Sequence, residues 1–593
     1  DTLVRYASQK FGTSSFYFTP ESNSRYKGVI KTSDGKVSTA SLPAAFPEGY
    51  VMHLTDSIPG HIGIAVMASG KYANLPVNLI VHTRKKINLA KSAQLENGKA
   101  LFDVDKNILR DGICSITIFD EASRPVCERL YFKRPIHKLA PSVKTDENAY
   151  SKRKKVTLDL SLGWPGHTAP PSVSIAVYRT DSLQEVDENN IVSYLYLTSE
   201  LQGNVESPGY YFQNNDSAEI QDATENLMLT QGWRRFKWEE VLQKTSKAFE
   251  FAPELEGHII TGKVINKSTG EPVPDVTTFL SVPSRHFQIA SAVSDESGNL
   301  KFDIKNFFGT EEIAVQTANA TDTGYRIELA NPFSELPPIA ALPPFDYPIL
   351  QSHALLTRSI ATQVRNVFNA DSLRAFYANS SFDTTAFFGV PDQKYFLDDY
   401  TRFNTMEEVM REYIGNILVR RSEGHFRYRV LNYPYKLFFE DDALVLMDGV
   451  PVSNIDKIIA FDPLKVQKIE LMNRKCFLGP YVADGIISYR TYTGDLAGFQ
   501  LDPNVLILKY DGLQLQREFY SPKYETEEQV NSREPDFRNL LYWSPVVSFS
   551  TTGNARLSFY TSDVGGKYAV VVQGLTSDGQ PFAGTETFNV GNP

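Results

Sequence analysis

The chain has 593 residues, with 60 lysines and arginines against 70 aspartates and glutamates for a formal net charge of -10. That balance argues against nucleic acid as a partner, because binding phosphates needs a basic face. At about 100 to 200 residues per domain, the length calls for four or five domains. No segment is long and apolar enough to span a bilayer as a helix, and 33 prolines, 36 glycines and 12% aromatics between short apolar runs point to a mainly β chain.

In chain order, LVRYASQKFGTSSFYFTP near the start reads like the closing strands of a sandwich whose first strands are missing, so a fragment or processed form is expected. Residues 42 to 134 alternate apolar and polar through GYVMHL, HIGIAV, LPVNLIVHT, KALFDV, GICSITIF and CERLYF, the pattern of an antiparallel sandwich. Three cysteines give no disulfide framework. If ICSITIF and VCERLYF pair as a hairpin with Phe119 opposite Val126, Cys127 faces Ile118, about 13 Å along the strand from Cys114 and too far for a bridge. The run Lys152-Arg153-Lys154-Lys155 opens a strand and reads as a solvated edge.

Residues 190 to 242 break the β rhythm. Ile191, Tyr194, Leu195 and Thr198 share one helical face, and QDATENLMLTQGWRRFKWEEVL forms a second helical stretch interrupted at Gly232. Residues 257 to 318 return to strands, with turns at Thr269-Gly270-Glu271-Pro272 and Glu296 to Gly298. The six prolines of residues 331 to 350 make an extended strap. A helix marked by Ile360, Val364, Val367 and Phe368 follows, then another opened by a capping box of Thr405 and Glu408, with Met406, Val409, Met410 and Tyr413 on its apolar face. Asp448-Gly449 after Leu444 to Met447 is a turn signal.

Several of these stretches resemble known modules. SFYFTP, ICSITIFD...RPVCERLYF and KVTLDLSL followed by SVSIAVYRTD are similar to macroglobulin-type domains, and GHIITGKVINKSTGEPVPDVTTFLSV resembles the carboxypeptidase regulatory-like domain. Residues 444 to 492 resemble the plug of TonB-dependent outer-membrane receptors: Asp448-Gly449-Val450-Pro451 matches the plug turn, Ile469-Glu470-Leu471 its second strand, and Gly479, Gly485, Ile486 and Ile487 its close. A barrel wide enough for a plug takes roughly 22 strands; the 101 residues after the plug-like stretch allow about eight, so a plug without a barrel is expected. The arrangement resembles exported multidomain proteins of Bacteroidota. The expected fold is mainly β: tandem antiparallel β-sandwich (macroglobulin/Ig-like) domains with a helical insertion and a small α/β plug-like domain. The resemblance implies the end of a macroglobulin-like sandwich at 1–40, such sandwiches at 41–136 and 137–255 (the latter with helical segment 190–242), a regulatory-like sandwich at 256–330, a proline-rich linker at 331–350, the plug-like domain at 351–498 and a last sandwich at 499–593.

The chemistry-bearing motifs are missing from the sequence. It has no Cys-Gly-Glu-Gln thioester, no Gly-x-Ser-x-Gly elbow, no phosphate-binding loop, and no histidine with a glutamate three residues on. The run Asp103-Val104-Asp105-Lys106-Asn107 with Asp111 departs from a calcium loop at Ile108 and Cys114. The expectation is therefore a protein that is not an enzyme, with no catalytic residue, cofactor or metal. Its expected role is interaction or scaffolding at the outer-membrane periphery, on the periplasmic or outer side, binding an outer-membrane protein or complex. Membrane association would come only through an N-terminal anchor or that partner. The alternative is a thioester-free macroglobulin-like protease inhibitor that traps by changing conformation, with a bait in residues 203 to 222 or 521 to 537. Tyr210, Tyr211, Phe212, Trp233 and Trp238 are the candidates for a protein contact, beside the reading that such aromatics pack helix on sheet.

Overall fold

The computed structural model describes residues 2–21, 24–135, 139–163, 169–213, 217–231, 237–242, 253–255, 257–319, 323–333, 351–376, 385–550 and 552–591. The protein is mainly β, and its chain divides into two compact units. Unit 1 takes residues 1–247, 345–374 and 519–593; unit 2 takes 248–344 and 375–518.

Unit 1 opens with an extended segment and the hairpin β1 (Lys27–Lys31) and β2 (Val37–Ser41), which pair only with each other among the described residues and leave Val29, Ile30 and Val37 exposed. The first sandwich follows: β3 (Tyr50–Thr55), β4 (His61–Ala68), β5 (Pro76–Thr83), β6 (Lys86–Gln94), β7 (Lys99–Asp105), β8 (Gly112–Phe119) and β9 (Pro125–Lys133). Its sheets run β3-β4-β7 and β6-β5-β8-β9. Period-two alternation sends Ala100, Phe102 and Val104 of β7 into the core shared with Ile62, Ile64, Leu79 and Ile116. Cys127 pairs with Ile118 across β8 and β9, although a register shift after Ile118 sets Phe119 against Pro125 and not against the expected Val126, and all three cysteines are free.

A second sandwich begins with β10 (Ser142–Thr145), β11 (Ala149–Tyr150), β12 (Lys155–Ser161) and β13 (Ser172–Thr180). The chain then turns helical: α1 (Ile191–Ser193) with a capping box from Asn190, a π turn over Tyr194–Thr198, α2 (Ala218–Thr230) and α3 (Trp238–Leu242). The π turn, closed by the Ser199 N–H donating to Tyr194 O at 2.9 Å, rotates the face that a regular helix would present. Tyr196 and Leu197 are buried while Tyr194 is exposed, unlike the face predicted from a regular period.

Unit 2 starts as a small sandwich of β14 (His258–Asn266), β15 (Thr277–Val282), β16 (Gln288–Val293), β17 (Asn299–Ile304), β18 (Thr310–Thr317) and β19 (Tyr325–Leu329), with the two expected turns in place. All but residues 331–333 of the proline-rich strap lie outside the described residues. α4 (Ser352–Phe368) and α5 (Ala370–Leu373) belong to unit 1, where Arg358 Nη2 meets Asp181 Oδ1 at 2.6 Å, although the sequence reading grouped them with the plug-like segment.

The α/β module of unit 2 contains β20 (Gln393–Phe396), α6 (Met406–Glu412), β21 (Ile417–Ser422), β22 (His425–Asn432), β23 (Leu437–Phe438), β24 (Leu444–Met447), β25 (Val450–Pro451), α7 (Ile455–Ile459), β26 (Val466–Leu478) and β27 (Tyr481–Thr491). Thr405 caps α6, accepting from the Glu408 N–H and donating to its carboxylate at 2.7 Å, and Met406, Val409 and Met410 are buried as predicted. Asp448 and Gly449 both take positive φ (47° and 89°), joining β24 to β25 as a tight hairpin turn. Buried Asp448 accepts from Thr491 N at 2.8 Å, Thr491 Oγ1 at 2.6 Å and Leu496 N at 2.9 Å. A Cβ on Gly449 would collide with the Phe287 ring of the small sandwich, so only glycine fits this contact between the module and the sandwich.

Two segments part at residue 499, where the sequence reading began a last sandwich. β28 (Leu506–Asp511) pairs with β18 and completes the small sandwich of unit 2. After α8 (Glu527–Val530), β29 (Leu540–Ser544), β30 (Asn554–Tyr560), β31 (Gly566–Leu575) and β32 (Pro581–Val590) complete the second sandwich of unit 1 instead of forming their own. Its sheets are β10-β12-β30 and β11-β32-β31-β13-β29. Val177 faces Val570, Leu158 faces Leu557, and these side chains share one core with Phe559, Phe582 and Phe588. Alternation marks each strand as half-buried and says nothing of which strand lies beside it, so the pairing was not visible in the sequence.

Arg153 fastens the two parts of this sandwich, so the basic run is not all solvated edge. Held at φ 53°, it makes a bidentate pair with Asp563 at 2.8 Å for both bonds and donates to Ser532 O at 2.7 Å, Val530 O at 3.1 Å and Glu534 O at 2.6 Å. Burial by itself would raise the Asp563 carboxyl; the bonds from Arg153 and the Asp536 N–H outweigh it and hold the group below its ordinary 3.8. Its contribution is present above that value and is lost as pH falls through the lowered one. Arg153→Met is expected to destabilise unit 1 by about 3 kcal/mol in denaturant melts at pH 7, because it leaves a partly buried carboxylate unpaired. At pH 3 the gap between the native chain and the variant narrows; an equal gap at both values would contradict the assignment.

Candidate functional site

Every residue of β8 is buried, although only one of its faces meets the sandwich core. The helical insertion covers the other. Ile113, Leu130 and Phe132 of β8 and β9 pack with Tyr196, Leu197, Leu201, Tyr211, Leu227 and Met228. Phe212 sits edge-on to Phe132 at 5.5 Å, and Phe11 edge-on to Tyr210 at 5.2 Å. Trp238 lies edge-on to Phe119 at 4.9 Å and to His82 at 5.5 Å, and its indole N–H donates to Thr117 Oγ1 at 3.1 Å. Tyr211 is only 3% exposed and cannot meet a partner. For Tyr210, Tyr211, Phe212 and Trp238 the structure thus shows helix-on-sheet packing, with Tyr210 and Phe212 half-buried. Trp233 lies outside the described residues.

Beside this packed layer, the first sandwich has an open side. β3 and β9 are edge strands of its two sheets, each hydrogen-bonded to one neighbour only among the described residues. Between them lies a cleft of about 780 Å³. β3 contributes Tyr50, Val51, Met52 and His53, β4 contributes Met67, β9 contributes Cys127 to Leu130, α2 contributes Met228 and Leu229, and the extended segment Tyr17 to Thr19 crosses it. The chain has seven methionines, and three of them line this cleft, giving it walls that can repack around varied apolar groups.

Alternation along β9 explains the polar part of the cleft. Cys127 and Tyr131 turn inward with Arg129 between them, while Leu130 and Phe132 face the helical layer. The Arg129 side chain is 9% exposed and pairs with Glu225 of α2. Its Nε–H has no hydrogen-bond acceptor, and burial holds its pKa below the usual arginine value, with the neighbouring Tyr17 hydroxyl offsetting part of that shift. The Tyr50 hydroxyl is buried without a partner, and burial raises its pKa. Tyr17 stands edge-on to His53 at 5.2 Å, and Tyr131 donates to Asp56 Oδ2 at 3.0 Å. Glu128 faces the other way, accepting from Ser115 Oγ at 3.1 Å.

The sequence reading missed this site. Its signals were a charged residue at an inward position of CERLYF and the gathering of scarce methionines, and the second depends on tertiary structure. In the calcium-like run, Asp103 instead meets His61 Nδ1 at 2.9 Å and Asp105 caps a short turn through the Asn107 N–H at 2.8 Å. Among the described residues no group of three histidine, cysteine, aspartate or glutamate side chains is placed to hold a metal.

No family model matches the chain, and no curated protein matches it. Among solved structures, it aligns with Escherichia coli alpha-2-macroglobulin in its native conformation at 9% identity and a TM-score of 0.13, covering 95% of this chain and 42% of that one. It aligns with a tetra-tandem repeat from the extending region of a large adhesion protein at 9% identity and a TM-score of 0.17, covering 92% and 100%. Salmonella alpha-2-macroglobulin reacted with methylamine gives 9% and 0.13, covering 95% and 41%. The chain spans about two-fifths of the length of these macroglobulins. Similarity of this size carries no conclusion about its activity.

Burial pushes the Cys127 thiol on the cleft wall, and the Cys114 thiol in the sandwich core, up to about 11. At pH 8 both stay protonated, and a thiol-disulfide exchange reagent should modify fully buried Cys114 only at the rate of unfolding, as followed by mass spectrometry of the labelled peptide with and without denaturant. Rapid labelling of Cys114 in the folded protein would contradict the burial described.

Proposed function

We propose that this chain is a non-catalytic interaction or scaffold protein of the outer-membrane periphery, an accessory component that binds an outer-membrane protein or complex. The observation that carries the binding role is the apolar, methionine-lined cleft on the open side of the first sandwich. It is held between two sheets and a packed helical layer, so its walls are pre-organised and binding orders few additional residues. The location rests on the likeness of residues 444 to 492 to receptor plugs. The Asp448-Gly449 turn that carries much of this likeness is buried against Phe287 of the small sandwich, which suits a module retained for shape. The second macroglobulin-type module and the regulatory-like module serve in this reading as a spacer, and no metal or cofactor takes part.

A photo-crosslinking residue at Val51, 59% exposed on the cleft wall, tests the proposal in intact cell envelopes. One recurrent adduct that fractionates with the outer membrane is expected. Repeated absence of an adduct, or adducts only with inner-membrane or cytosolic proteins, would sink the location and the partner together.

The alternative, a thioester-free inhibitor that traps proteases, needs a bait whose cleavage releases a conformational change. Arg153 ties residues 529 to 534 to the second sandwich, which favours the scaffold reading. Cleavage within residues 521 to 537 is expected to leave the radius of gyration unchanged in small-angle scattering. Compaction on cleavage would favour trapping.

A further inference from the structure

β3 offers a hydrogen-bonding edge that the fold leaves unused. In an antiparallel pair, alternate residues direct their N–H and C=O groups to the neighbour and the others direct theirs away. β3 pairs with β4 from Tyr50 to Thr55, and among the described residues no backbone hydrogen bond reaches its other side, not even from the segment Tyr17 to Thr19 that crosses the cleft. Exposed edges are usually blocked by lysine, proline or a bulge. YVMHLT contains neither residue, and its register with β4 is unbroken.

The charge of the cleft narrows what such an edge would receive. Glu128 is turned to Ser115 and Glu225 occupies part of the Arg129 guanidinium, so the acceptor-less Arg129 Nε–H remains for an incoming group. A nine-tenths buried guanidinium with an unsatisfied donor calls for an anionic oxygen. Met52, Met67 and Met228 call for apolar side chains around it.

We propose that the cleft is a strand-addition site for an extended acidic-apolar peptide of a partner protein. The peptide pairs its backbone with the free edge of β3, sets side chains beside Met52 on the inward face of the sheet and beside Met67 on its outward face, and places one carboxylate against Arg129. Tyr17 swings aside from His53 to admit it. This rests on the binding role proposed above and adds the chemistry of the partner segment; it makes no use of where in the envelope the protein resides.

The probe is a synthetic nine-residue peptide of alternating valine and threonine with one central glutamate, titrated against the full chain by fluorescence anisotropy and by amide hydrogen exchange. Binding should slow exchange selectively within residues 50–55. Replacing the glutamate by glutamine should weaken binding about tenfold, the size expected for one charge-assisted hydrogen bond, and methylating alternate peptide nitrogens should abolish it. In Arg129→Met the glutamate peptide should lose its advantage over the glutamine peptide. Because the peptide changes leave the protein untouched, misfolding of that variant would not obscure the outcome. Equal binding of the methylated peptide, or binding without protection at 50–55, would overturn strand addition. So would dodecanoate competing with the peptide while leaving exchange at 50–55 unchanged, since the cleft would then be a lipid site. Failure here with a recurrent Val51 adduct refutes this mode of binding alone, whereas peptide binding without an adduct refutes the envelope location alone.

Discussion

A β-strand in the middle of a sheet needs a hydrogen-bonding neighbour on each side, and for β13 both neighbours lie several hundred residues further along the chain. β31 pairs with one of its edges and β29 with the other. Unpaired backbone groups in a buried strand cost comparably to lost hydrogen bonds, so the second sandwich cannot close until the C-terminal strands arrive. Everything from the helical insertion to residue 518 is thereby an excursion from one sheet. Arg153 fits the same logic: its guanidinium gathers Asp563 and four backbone carbonyls of the returning segment around a corner of that sandwich.

The cleft follows from the same constraint left unsatisfied. The first sandwich is built entirely from residues 50 to 133, and nothing later in the described chain pairs with its edges β3 and β9. The helical insertion instead covers the outer face of β8 and β9, burying Ile113, Leu130 and Phe132 and bringing Met228 and Glu225 to the rim of the open side. One sandwich is thus completed by distant strands, and the other keeps a cavity beside its edge β3. The binding role proposed above falls on the second.

Much of the local structure was legible in the sequence, because it rests on short-range physics. Alternation located most strands, the Thr405 capping box located α6, and Asp448-Gly449 located a tight turn. The Cys127 register opposite Ile118 followed from one hairpin. Failures came where partners are remote. Nothing within residues 142 to 180 names β31 as a neighbour, and Arg153 looked like one more cation in a basic run until its hydrogen bonds to residues between 529 and 563 were seen. The π turn shifted the buried face by an amount no periodicity could anticipate. The aromatics expected at a contact were taken from the Tyr210–Phe212 run and the 233–238 stretch, and for Tyr211 its apolar area is what draws it into the interior.

The dependence of β13 on the C-terminal strands can be measured directly. Val570 is fully buried on β31 opposite Val177, and Val570→Ala removes core volume without touching residues 172–180 in sequence. Amide hydrogen exchange of the variant should accelerate in Ser172–Thr180 and Gly566–Leu575 together and by similar factors, as one cooperative unit. Acceleration confined to residues 566–575, with 172–180 unchanged, would mean that the two segments belong to separate domains and would contradict the single sandwich.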